Sequence, residues 1–201
     1  MTDPIASGHA AAPPTRTSFL MRMARAAMLH ADTYEEIEAD PSSIVQAAMV
    51  VALACFAAAF GFYLRVEAGA SVLIDVRPLS FQAVIVGLEP LVIWIGASAF
   101  SYMTGASFFR GPETETDFLE VLRTTGFAFT PALLAAFSFV PPGTLGLAIL
   151  AVARVWSLIA TVVAVRQALD FTTLRAVGTF GSAVLMLWLV LWGLSVAPSP
   201  I

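Results

Sequence analysis

Apolar and polar positions alternate along this chain in long blocks. Five apolar stretches, about 44–64, 81–103, 126–140, 144–165 and 174–196, are separated by short segments rich in Pro, Gly, Thr and charge. All but the third are long enough for a helix to cross a hydrocarbon core of about 30 Å. The third reaches across only if the amphipathic residues ahead of it extend the same helix. The pattern predicts an all-α integral membrane bundle of five transmembrane helices at 44–197. An N-terminal cytoplasmic segment, 1–43, precedes it with amphipathic and acidic helices.

The stretch from Glu113 to Leu134 is the pivot, with two long apolar segments on either side of it. Phe118, Leu119, Val121 and Leu122 fall on one broad side at helical spacing, with Asp117, Glu120 and Arg123 around the other. Such a segment is expected to lie along the membrane surface and feed directly into the bilayer. Gly126 removes a side chain where the environment changes, and Pro131 removes a backbone donor one turn into the apolar run. A helix in lipid tolerates that gap where neighbouring helices re-satisfy the backbone, which places the segment inside the bundle.

Ahead of the first span, residues 1–15 carry Pro4, Gly8, Pro13 and Pro14 and read as a disordered tail. From Arg16 to His30, Phe19, Met23 and Ala27 with Leu20 and Met28 form an apolar flank, and Arg16, Arg22 and Arg25 add positive charge. Two settings fit equally: a helix lying on anionic lipid, or one packed on the cytoplasmic end of the bundle. Thr33 and Glu36 stand at capping-box spacing, so a short helix is expected there. Its clustered carboxylates lack the alternating ligands and glycine of a calcium loop and read as a solvated face. Pro41 ends that helix, and Ser42 or Ser43 can cap the next.

Composition sharpens the picture. The chain is 201 residues long, 59% hydrophobic and only 12% charged, with mean hydropathy +0.86, whereas soluble domains carry about 25% charged residues. A net charge of −4, without a basic stripe interleaved with aromatics, argues against nucleic acid as a partner. All ten basic residues are Arg, which with the Ala content points to a GC-rich bacterial genome. The single Cys55 leaves no internal disulfide. The first apolar run begins only at Ile44, after an acidic segment, which argues against a cleaved signal peptide.

Arg123-Thr-Thr-Gly126-Phe127-Ala-Phe-Thr-Pro131 resembles the Gly-Tyr…Pro signature in the third membrane helix of the Yip (Ypt/Rab-interacting protein) domain family. The five expected helices and the acidic segment ahead of them extend the resemblance over most of residues 30–196. Phe127 stands where Tyr is usual, and the Asp-Leu-Tyr-Gly-Pro element of the GTPase-binding members is absent. The resemblance implies the multi-pass fold; a bacterial source would leave out the Rab-type partner.

Catalytic constellations are missing. No membrane stretch contains His, and metalloprotease spacing, a Gly-x-Ser-x-Gly turn, a phosphate-binding Gly-rich loop and paired Cys are absent. No catalytic, metal or cofactor-binding residue is nominated, and no cofactor. The expected role is a non-catalytic scaffold or organiser in contact with membrane lipid. It would bind partner proteins through 16–40 and 105–125 and form homo-oligomers through small-residue helix faces; Ala97 and Ser101 have small-xxx-small spacing, which fits close helix contact within the bundle. The alternatives are a small permease or channel subunit, with Glu89 and Arg154 lining a polar route, and an auxiliary subunit of a larger complex. The lack of an internal repeat speaks against the permease.

With the N-terminus in the cytoplasm, that side holds Arg16, Arg22, Arg25, Arg110, Arg123, Arg166 and Arg175, and the other holds Arg65 and Arg77. This bias predicts N-terminus in and C-terminus out, in a bacterial cytoplasmic (inner) membrane. Glu89 and Arg154 are the two charges well inside expected spans. At about 1.5 Å per residue they sit roughly 12 Å and 15 Å below the same boundary. That shared depth predicts a buried ion pair, with Pro90 opening backbone carbonyls nearby. The competing expectation has Arg154 snorkelling and Glu89 protonated or facing a water pocket. The structural and interaction candidates are therefore Glu89, Pro90, Arg154, Arg123, Gly126, Phe127 and Pro131.

Overall fold

The computed structural model describes residues 17–69, 78–107, 117–141 and 143–196. The expected tail at 1–15, the middle of the 65–80 loop, part of the 105–125 segment and residues 197–201 lie outside the described residues. In chain order the elements are α1 (Phe19–Ala27), α2 (Ala31–Ala39), α3 (Ser43–Glu67), α4 (Leu79–Ser107), α5 (Phe118–Phe127), a 3-10 segment (Thr130–Phe137), α6 (Gly143–Ala168) and α7 (Thr173–Val196). Among the described residues there is no strand. Four helices, α3, α4, α6 and α7, are long and apolar enough to cross a membrane, with mean hydropathy between 1.5 and 2.2.

The stretch expected as one helix at 126–140 is built differently. It consists of the last turn of α5 followed by the 3-10 segment. Pro131 has no N–H to give to a carbonyl four residues back. Thr130 Oγ1 donates to the Phe127 carbonyl at 2.8 Å, which closes off α5. The tighter winding rises about 2.0 Å per residue, so few residues travel far. Gly126 lies against Ala47, near the start of α3, and Ala135 lies against Gly61, near its end. Gly126 to Ala135 covers about 18 Å at the 3-10 rise. The run of α3 from Ala47 to Gly61 covers about 21 Å.

Two glycines permit this fit. A Cβ on Gly61 would run into the carbonyl of Ala135, and one on Gly146 into the carbonyl of Ser138. Both neighbours are backbone, so α3 and α6 can close on the 3-10 segment from two sides only where no side chain intervenes. Around the bundle, α4 packs on α3 and α7, while α6 packs on the 3-10 segment and α7. Beyond Ala183, α7 stands off: Leu185, Met186, Trp188, Leu189 and Val190 are all exposed. Leu187 keeps contact with α4 at Gly96.

The helices α1 and α2 cap the end of the bundle where α3 and α5 begin and α6 ends. Arg22, Arg25, Arg123, Arg166 and Arg175 gather at this end, and Arg65 lies at the other. The N-cap of α2 is His30, so the expected cap Thr33 is instead buried inside the helix with Tyr34 and Ile37. Ser42 precedes α3 without a capping hydrogen bond from its side chain; its hydroxyl donates to Asp40 Oδ1 at 2.6 Å.

Candidate functional site

The capped end is organised by buried cations, Arg22 first. Phe19, Met23 and Ala26 turn α1 toward the bundle, and Arg22 lies on the same side, 3% exposed. Its guanidinium donates to Glu36 Oε1 at 2.9 and 3.1 Å, to Asp40 Oδ2 at 3.1 Å, to Ser43 Oγ at 3.0 Å and to Gln46 Oε1 at 3.2 Å. Three helices are stitched by this fork, because a buried guanidinium needs acceptors for all its donors. The Ser42 hydroxyl and then Arg22 hold the Asp40 carboxyl down at about 2. Burial would raise Glu36, but hydrogen bonds from Thr17 and Arg22 together lower it. Tyr34 donates to the Ala26 carbonyl at 3.0 Å, Trp156 Nε1 to the Ala27 carbonyl at 2.7 Å and Gln167 to Glu35 at 2.8 Å.

Arg123 reaches the same cap from α5. Its Nε donates to the Glu38 carbonyl at 2.7 Å, Nη2 donates to the same oxygen, and Glu120 lies 3.5 Å away. That carbonyl belongs to the last turn of α2, where helix carbonyls lack partners and a cation is favourable. The Glu38 carboxyl is pushed up to about 7, first by burial and then by the charges of Asp170 and Glu120.

The structure therefore places α5 inside the bundle rather than along a surface. Val121, Arg123, Thr124, Thr125, Gly126 and Phe127 are all buried, against α3, α4 and α6. Thr124 and Thr125 look polar, but each donates to a carbonyl of its own helix, to Glu120 at 2.9 Å and Val121 at 2.6 Å. At Gly126 a Cβ would stand 2.6 Å from Ala47 Cβ and 3.2 Å from Trp94 Nε1. The indole of Trp94 in turn donates to the Leu122 carbonyl at 2.9 Å. Phe127 is fully buried, edge-on to Phe19 with ring centroids 6.2 Å apart, a setting that suits a ring without a hydroxyl. Pro131 is buried at the start of the 3-10 segment.

Glu89 and Arg154 meet. Arg154 Nη1 lies 2.5 Å from Glu89 Oε1 and Nη2 2.5 Å from Glu89 Oε2, a bidentate pair between α4 and α6. The pair is not enclosed as expected: the side chains keep 43% and 39% exposure on the flank of the bundle. Pro90 is buried one residue on and lines a cavity that Arg154 also borders.

The Yip1 domain family model matches residues 27–195. The chain belongs to the Yip1 domain family. With four long apolar helices, this Yip1-domain chain is an integral, multi-pass membrane protein. Comparison with curated proteins and with solved structures returned no match.

The sequence separated the candidates unevenly. Arg22 was one of three similar Arg residues at 16–25. The available signal was its place three residues after Phe19 and next to Met23, on the buried stripe. The tie from Trp94 to α5 carries no sequence signal, because the two residues lie 28 positions apart.

Proposed function

We propose that this protein is a non-catalytic scaffold of a bacterial cytoplasmic membrane, crossing it five times with the N-terminus inside. The climb of α5 and the 3-10 segment along α3, from Ala47 to Gly61, supports the third crossing. The Arg residues gathered at the capped end support its cytoplasmic placement under the positive-inside rule. The all-Arg basic composition favours a bacterial source. The observation that carries the scaffold reading is the cap itself. Arg22 and Arg123 lock α1 and α2 onto the bundle, so that Asp32 and Glu35 stand exposed on a fixed acidic face. On the neighbouring helix, Leu20, Met21 and Met28 point outward as an apolar stripe suited to inner-leaflet lipid. Partner proteins would read the acidic face.

The test is affinity purification in mild detergent of the wild type and of a variant with Asp32→Arg and Glu35→Arg. The expected result is a protein partner recovered in fixed proportion with the wild type and lost with the folded variant. Solute flux in liposomes without any such partner would instead favour the permease reading.

A further inference from the structure

The bundle holds a cavity of about 190 Å³ between α4 and α6. Six alanines, Ala54, Ala58, Ala97, Ala132, Ala135 and Ala153, leave the space open. Three of the four hydroxyls around it are spent within the protein. Ser98 and Thr125 bond each other at 2.8 Å, and Thr161 donates to the Ser157 carbonyl at 2.8 Å. The Ser157 hydroxyl has no partner among the described residues, and a helical serine can turn back onto the carbonyl four residues earlier. A buried water needs two to four polar partners, and an apolar cavity of about 150 Å³ stays dry and takes up benzene-sized guests. This cavity is larger, and its lining is mostly apolar as well.

Its rim faces the lipid. Leu158 lines the cavity and is 49% exposed. The flank between α4 and α6 is crossed by the half-exposed Glu89–Arg154 pair. On α4 the lining runs from Pro90 to Ser98, a depth of about 12 Å. The space is therefore long as well as apolar.

We propose that the cavity seats the end of a lipid acyl chain, which enters sideways between α4 and α6 beside the Glu89–Arg154 bridge. Hydrocarbon is the fluid around an integral membrane protein, and a void lined by methyl groups forfeits dispersion contacts that a chain end restores. The bridge fixes the kind of guest. Its two charges neutralise each other, so the mouth carries no net charge to select a charged headgroup, while the pair ties the two helices across it.

The experiment uses the full chain with Trp156, Trp188 and Trp192 each changed to Phe. Trp94 remains, 7% exposed and lining the cavity. The protein is reconstituted in phosphatidylcholine vesicles whose acyl chains carry bromine near the methyl end, with unbrominated vesicles as reference. Bromine quenches indole emission on contact, so Trp94 should lose most of its emission in the brominated vesicles. Ala153→Phe, which fills the cavity, should restore the unbrominated level; Ala97→Leu is the second filling variant, and it decides if Ala153→Phe does not fold. Undiminished Trp94 emission in brominated vesicles overturns the proposal. Equal quenching in a folded, filled variant overturns it as well.

Discussion

Replacing Gly61 by Ala tests whether the 3-10 segment is held by backbone contact. In an ordinary helix this substitution helps by up to about 1 kcal/mol, because alanine loses less backbone entropy. At Gly61 the new Cβ would overlap the Ala135 carbonyl and stand 2.7 Å from Ser138 Oγ, below the 3.0 Å that real Cβ contacts respect. A carbonyl cannot rotate away as a side chain can, so α3 and the 3-10 segment must separate. Such overpacking costs typically about 1–3 kcal/mol, leaving a net loss of up to about 2 kcal/mol after the propensity gain. Gly181→Ala is the matched control, since nothing lies within 4 Å of its Cβ position. The assay is thermal unfolding of the purified protein in mild detergent. At about 2–4 °C per kcal/mol for a chain of this size, Gly61→Ala should lower Tm by several degrees while Gly181→Ala holds or raises it. Ser138→Ala should fail to rescue Gly61→Ala, because the carbonyl clash remains. Equal Tm changes at the two glycines, or full rescue by Ser138→Ala, would refute the reasoning.

Three other expectations concern the charges. Arg22→Met should loosen the cap by about 2–4 kcal/mol, since Glu36 and Asp40 lose their cation while remaining partly hydrated; hydrogen exchange should then rise in α1 and α2 ahead of α3. For Glu89→Gln and Arg154→Gln, each single change leaves one charge in hydrocarbon, at about 2.5–3.5 kcal/mol on insertion scales. The double variant should therefore lose clearly less Tm than the sum of the singles, and simple additivity would count against a coupled pair. The Glu38 carboxyl, raised from the usual 4.5 to about 7, faces Asp170, Glu120, Glu35 and Arg123. The folded state then binds more protons than the unfolded state between about pH 4.5 and 7, so this group's contribution falls as pH rises through that window. Protease protection of α2 should be greater at the acid end of the window, and Glu38→Gln should flatten the dependence.

The four long helices were legible in the sequence because length and hydropathy are local properties, written within each helix. The meeting of Glu89 with Arg154 was legible for a similar reason: depth along two rods can be counted from a shared boundary. Their lateral exposure was not, since it depends on how the helices around them pack. The third apolar stretch shows the limit most clearly. Pro131 announced an interruption, but whether the chain turned back or climbed on depended on two distant glycines, Gly61 and Gly146, facing the same carbonyl row. The burial of Thr124 and Thr125 was not legible either, because a sequence lists hydroxyls without their acceptors, and both acceptors are carbonyls of α5 itself. Arg22 looked like its neighbours until α2 and α3 brought four acceptors around it. Periodicity determines which face of a helix is apolar; only packing determines which polar group finds a partner and can be buried.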